Sequence, residues 1–381
     1  MSGPVTRSGP VTSGGVESDG VKRDSIRRLG RRELAYAFRR SGHGFVRARG
    51  FDSAAALTFF SALTLFPSSL AALSGIAIIG GGDGSAIRFL LSVVDEVADD
   101  STVKAVHGPL EQLANIPNPW IAFAVGVVVL LWVGSAYTTA FGRAANSLYG
   151  VQEGRRIWKF RGLMVIVAAV LSVGMSVAGI LLLGTPNVAD AASGLLGIGE
   201  PWVTLWNVLR WPVLVALAAT LIAVLYYWTP TVERQTVPYF SYGAILALLG
   251  WALATGGFWI YVTHVAHYDE LYGYLGGALV VLLWLYISNF VILYGAGIDA
   301  EFVRVRQLVQ GIESEVAIRV PMRDTSRNLV IARSLARDEA DGRAIRLEAE
   351  EERRHGADRL ATQGAPLPQD DSPRSTATPL A

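Results

Sequence analysis

Gly162–Gly184 reads GLMVIVAAVLSVGMSVAGILLLG, a run with no charge and with apolar side chains on every face of a helix. A bilayer core of about 30 Å takes roughly 20 apolar residues in a helix, whereas a helix on the surface of a soluble protein keeps one polar face. The run therefore predicts a membrane span, and it sets the solvent in which the rest of the chain is read.

Working outward, five further stretches reach the same length, at about 54–80, 120–142, 206–228, 239–262 and 274–298, so that 162–184 is the third of six. The first is interrupted by Thr58, Ser61, Thr64 and Pro67, yet it carries no charge from Ala54 to Gly82. Trp120, Trp202, Trp206, Trp228, Tyr239, Tyr272 and Tyr274 fall at the predicted ends, where amphipathic rings meet the headgroups. Composition agrees: 51% hydrophobic and 17% charged residues, with a mean hydropathy of +0.38, lie away from the roughly 25% charged of a globular domain.

The formal net charge of +1 conceals a segregation that sets orientation. Arg is dense from Arg23 to Arg49, five cations lie between Arg143 and Arg161, and more follow Arg304, whereas the alternate connections carry Asp83, Asp95, Glu96, Asp190, Glu200, Asp269 and Glu270. Positive charge stays on the cytoplasmic side, so both termini are expected there, in the plasma membrane. The expected fold is an all-α six-transmembrane-helix bundle with an extracytoplasmic helical cap after span one, in the long loop 81–119. Around the membrane domain, 54–302, we expect a disordered N-terminus to about residue 25, a basic juxtamembrane helix over 26–53, a charged helical tail over 303–355 and a disordered end from 356. The juxtamembrane segment suits either the anionic inner interface or a solvated arm. The N-terminus has no apolar core with a small-residue cleavage site, so the first span is expected to act as the insertion signal.

The opening span, Ala54-Ala55-Ala56-Leu57-Thr58-Phe59-Phe60-Ser61-Ala62-Leu63-Thr64-Leu65-Phe66-Pro67, then Trp132-Val133-Gly134-Ser135 through Arg143, Asn146, Tyr149 and Gly150, then Leu225-Tyr226-Tyr227-Trp228-Thr229-Pro230, and finally Tyr272-Gly273 through Trp284-Leu285-Tyr286 to Gly295-Ala296 and Glu301 occur in that order. This series resembles the YihY/BrkB family of bacterial inner-membrane proteins, formerly described as ribonuclease BN, over about residues 30 to 310. The resemblance implies a six-span bundle of poorly established activity, the ribonuclease label having been a misassignment. The chain departs from the family pattern at Gly297-Ile298-Asp299, so the family's acid falls on Asp299 or on Glu301.

Ionisable groups at membrane depth are costly and mark function, and here they stand at span ends: Asp52, Arg143, Asp299 and Glu301, with Arg143 in reach of either acid. Uncharged polar residues are denser. Thr58, Ser61 and Thr64 share a face of span one, Ser135 and Thr138 lie with Tyr137 and Thr139 in span two, and Ser288 and Asn289 sit within span six. With Pro67, Arg143, Asn146, Asp299 and Glu301 they are candidates for a substrate path along spans one, two and six; the competing reading is interhelical hydrogen bonding that holds the bundle. Pro67 and Pro212 predict kinks, and Gly256-Gly257, Gly276-Gly277, Gly295 and Gly297 would permit close helix approach. Cys is absent, His264 and His267 lack a third His, and no phosphate-binding or nucleophile motif occurs, so no metal, cofactor, catalytic residue or nucleic-acid partner is assigned. The expected function is a non-enzymatic transporter or flippase-like protein for a lipid or small polar substrate, its partners being membrane lipids. The alternative is an envelope scaffold that recruits a protein through its C-terminal tail; an intramembrane enzyme or ribonuclease ranks last.

Overall fold

The computed structural model describes residues 30–79, 118–183, 200–233, 241–264 and 274–362. Eight helices account for almost all of these: α1 (Arg31–Arg47), α2 (Gly50–Ile79), α3 (Pro119–Tyr149), α4 (Ile157–Leu183), α5 (Glu200–Trp228), α6 (Tyr242–His264), α7 (Tyr274–Val309) and α8 (Ser326–Thr362). Six of them, α2 to α7, are long and apolar enough to cross a membrane, and a lone antiparallel bridge between Val232 and Met322 is the extended pairing among the described residues. The chain is an all-α, multi-pass membrane protein. The expected cap lies in residues outside those described.

Each spanning helix packs on its neighbour in sequence, α7 returns to α2, and α3 also touches α7 across the ring. An even number of spans brings α1 and the segment after α7 to one end of the bundle, termed here the near end. α1 is docked there rather than free: Ala37 lies against Ile298, Phe302 and Val305 of α7, and Phe45 enters the main core. Its remaining arginines Arg31, Arg32, Arg39 and Arg47 stay exposed. α3 ends at Gly150, whose φ of 70° lets its N–H cap the carbonyls of Asn146 and Ser147, a backbone conformation that favours glycine.

Packing is unequal along the bundle. Leu57, Phe141, Ala145, Tyr226, Ala247 and Leu293 form the core in the near half, drawn from five spans. In the far half α2 and α3 stay in contact, since a Cβ on Gly126 would meet the Ala71 backbone nitrogen at 2.8 Å. The far halves of α5, α6 and α7 do not close in the same way. The buried residues of α6 are Gly243, Ala244 and Ala247, all in its first two turns, and further along Leu253 is 77% and Trp259 69% exposed. The glycines divide accordingly. A Cβ on Gly295 would collide with Ala247 and the Tyr226 hydroxyl at 2.5 Å, so this glycine does permit close approach, whereas Gly256, Gly257 and Gly277 face open space and do not.

The expected tail over 303–355 divides into three pieces. α7 continues to Val309, residues 312–325 run as a strap across the near end, and α8 begins at Ser326. The strap is stitched to four parts of the fold. The Arg40 Nη2 of α1 donates to the Glu315 carbonyl at 2.7 Å, Gln307 Nε2 of α7 to Arg319 O at 2.7 Å, and Arg323 Nη2 to Tyr227 O at 2.8 Å. Backbone bonds run from Glu233 N to Pro321 O and from Arg323 N to Thr231 O, both at 2.9 Å, and just past the strap Arg327 N of α8 donates to Gly154 O at 3.0 Å.

Candidate functional site

At mid-length of the bundle α2, α3 and α7 meet through one amide. Asn289 Nδ2 donates to Ser61 Oγ at 3.2 Å and to the Leu285 carbonyl at 2.9 Å, while its Oδ1 accepts from the Tyr137 hydroxyl at 3.0 Å. Next to it Trp251 Nε1 of α6 donates to Ser288 Oγ at 3.1 Å. An amide in hydrocarbon needs such partners, and this layer supplies them directly between helices.

The other candidates in spans one and two lie elsewhere. Thr58 and Thr64 donate to carbonyls of their own helix, Ala54 and Ser61, and Pro67 is buried within a helix that continues through it. Ser135 bonds the Trp132 carbonyl, and Thr138 donates across to Met164 O of α4 at 3.0 Å. Ser135 and Thr138 thus face α4, away from the Asn289 layer. Arg143 stands exposed on α3, and of the two acids expected within its reach Glu301 makes its ion pairs with Arg304 at 2.9 Å and Arg40 at 3.3 Å.

The near end holds the remaining candidates in two buried networks. In the first, Glu153 accepts from Arg155 Nε at 2.8 Å and Nη2 at 2.9 Å, from Asn146 Nδ2 at 2.9 Å and from Thr231 Oγ1 at 3.0 Å. Asn146 Oδ1 in turn accepts from Thr231 N at 2.9 Å. Arg155 also donates to the Thr229 carbonyl at 2.6 Å and lies 4.8 Å from the Phe160 ring centroid. Burial alone would raise the Glu153 carboxyl, but the Arg155 guanidinium and the Thr231 hydroxyl outweigh it and hold the group below the usual carboxylate range. In the second, Asp299 accepts from the Ser241 hydroxyl of the α5–α6 connection and from Tyr149 at 3.5 Å, while Glu301 and Arg304 tie α7 to α1 and to the strap. A cleft of about 210 Å³ opens beside it, lined among others by Arg40, Arg47, Ser147, Glu301 and Arg304.

A larger opening, about 390 Å³, lies on the outside of the bundle between α3 and α4 and is lined by Val128, Leu131, Trp132, Ser135, Arg161 and Val165. Among the described residues no group of three His, Cys, Asp or Glu is placed to hold a metal ion. His264 is near the Ile260 carbonyl at 3.2 Å, and His267, Asp269 and Glu270 fall outside the described residues.

The family model described as Virulence factor BrkB matches residues 42–316, which takes in every spanning helix and the start of the strap. The chain belongs to the BrkB family. Among the relatives of this BrkB-family chain, the ribonuclease-like protein YfkH of Bacillus subtilis is 26% identical over 66% of the chain and 89% of its own length. The UPF0761 membrane protein Mpe_A1422 of Methylibium petroleiphilum is 27% identical over 65% of the chain, and a UPF0761 membrane protein of Alkalilimnicola ehrlichii is 26% identical over 66%. The chain spans little more than half the length of these last two, 58% and 55%. No solved structure matches.

Sequence reading of the BrkB-family chain found Ser61, Asn289, Asn146, Asp299 and Glu301, because polar groups in or at the end of an apolar run are conspicuous. It missed Glu153, Arg155, Thr231 and Ser241, which lie in connections where polar residues are ordinary. It also passed over Arg210, inside α5 with its guanidinium 5.2 Å from the Trp211 ring centroid, although a charge within the 206–228 stretch was a legible signal. Arg304 was equally legible, three residues after Glu301.

Proposed function

We propose that this protein is a transporter of the bacterial plasma membrane that moves a lipid-like or small polar substrate, closed toward the cytoplasm and open toward the outer leaflet. The observation that carries this reading is the unequal packing: a dense core in the near half, a polar layer at Ser61, Tyr137 and Asn289, and above it far halves of α5, α6 and α7 with exposed faces. A substrate admitted from the far side would meet hydrogen-bonding groups at the layer where the apolar seal begins. The dense arginines of α1 and of the α3–α4 connection at the near end support a cytoplasmic placement of both termini. Without a nucleotide-binding motif, movement would be gradient-driven or passive, and no catalytic residue or nucleic-acid partner belongs to this reading.

The test is transport in vesicles containing the purified full chain, following scrambling of labelled phospholipids and uptake of a panel of small ions and osmolytes. Movement above empty vesicles that changes severalfold in Asn289→Ala and Tyr137→Phe supports the reading. No movement across the whole panel, or movement indifferent to both variants, overturns it.

A second reading, a scaffold, is favoured by α8, whose charged surface is exposed over most of residues 332–359. Removal of residues beyond Ile331 leaves the strap in place and separates the two: a scaffold loses its protein partner, a transporter keeps its rate.

A further inference from the structure

The outward groove between α3 and α4 combines an apolar wall with one cation in a way that defines an occupant. Val128, Leu131, Trp132 and Ser135 recur at the spacing of one helix face and run about 10 Å along α3. Arg161 and Val165, one turn apart, form the α4 side. The Thr138 hydroxyl meets the Met164 carbonyl, and a Cβ on Gly134 would lie 3.3 Å from Ala168, which fixes the register of the two antiparallel helices. Arg161 therefore sits at the near-end mouth and the apolar wall extends from it toward mid-membrane. Trp132, 76% exposed, leaves its ring uncovered by protein.

Most other cations of this region have protein partners, and Arg143, exposed on α3, is not among the residues that line the groove. Arg155 is held by Glu153 and Arg40 and Arg304 by Glu301, while Ser326 first, and then the charges of Lys159 and Arg156, hold the Asp324 carboxyl of the strap below its usual range. Arg161 is exposed and makes no ion pair or hydrogen bond with the described residues. A guanidinium near a helix end reaches the headgroup region, and a phosphate is the anion its fork fits there. A zwitterionic headgroup brings its own ammonium; an anionic one leaves net charge for the arginine.

We infer that this groove holds one anionic phospholipid of the near-side leaflet, its headgroup phosphate on Arg161 and one acyl chain laid along Val128, Leu131 and Trp132. The orientation matches: headgroup at the interface, chain running toward mid-membrane, past Ser135. The site faces outward, on the opposite side of α3 from the Asn289 layer, so it requires no transport and stands or falls separately from it.

The test uses the full chain in phosphatidylcholine vesicles with increasing fractions of phosphatidylglycerol brominated on its acyl chains. Trp132 emission is taken as the difference between the protein and Trp132→Phe. Saturable quenching at low mole fraction is expected, with the half-point moved upward at least about fivefold in Arg161→Gln and kept in Lys159→Gln. Equal quenching by brominated phosphatidylcholine, an Arg161→Gln curve that overlies the original, or a shift in Lys159→Gln as large as that in Arg161→Gln would each overturn the site.

Discussion

Asn289 uses three of the four hydrogen bonds its amide can make, on two other helices and its own. Tyr137→Phe removes one acceptor's partner and should lower stability by about 0.6–1 kcal/mol, and Asn289→Leu, which strands both Tyr137 and Ser61, by about 1–2 kcal/mol. Thermal unfolding in detergent reads both. Glu153 makes a larger demand because its charge is enclosed. Arg155→Ala leaves it buried without its guanidinium and should cost about 3 kcal/mol. The acid dependence has a definite sign: the folded carboxyl is held below its unfolded value, so its contribution is complete above the usual carboxylate range and is lost as pH falls through the lowered one. In Glu153→Gln the thermal midpoint should therefore fall less on acidification than in the original chain. Such residues were unequally legible. A lone amide in an apolar run announces that it needs partners, but the rotation of its helix, which decides between a lined cavity and a bond, lies in packing that one sequence does not display.

At the level of the helix, apolar run length located all six spans, and the surprises are at their ends. α3 and α7 run to Tyr149 and Val309, well past the ends at 142 and 298 read from hydropathy, because residues such as Asn146, Asp299 and Glu301 end an apolar run without ending a helix. The partners of Asn146 and one partner of Asp299 come from connections, which no periodicity marks, and those of Glu301 from α1 and from its own helix. Glycines divide for a similar reason, since a small residue is visible in sequence and its neighbour is not. Gly295→Ala should destabilise by about 1–3 kcal/mol through overpacking, while Gly257→Ala should stay within about 0.5 kcal/mol; a pair of unfolding curves settles the contrast. The strap changes what a truncation means. Ending the chain after Gly311 should lower the thermal midpoint by many degrees, and ending it after Ile331 should leave the midpoint nearly unchanged, although the second shortening removes most of α8.

For the molecule as a whole, the chain has no Cys, so single cysteines report topology directly. Thr362→Cys should react with a membrane-impermeant maleimide only after cells are opened if the near end is cytoplasmic; labelling of intact cells would reverse the orientation. The six spans and the family were readable from the sequence, whereas the imbalance between the two halves was not, because apolar residues facing lipid and apolar residues facing a core are written alike. The strap also imposes an order on biogenesis. Thr231 and Glu233 take their backbone partners from Pro321 and Arg323, which leave the ribosome roughly 4 to 18 s later at ordinary synthesis rates. All six spans enter the membrane before the clasp that fastens their ends exists. During that interval the backbone of Thr231 and Glu233 is without the partners that the strap supplies, and a message cut short just after the last span would yield a protein fully inserted yet never locked.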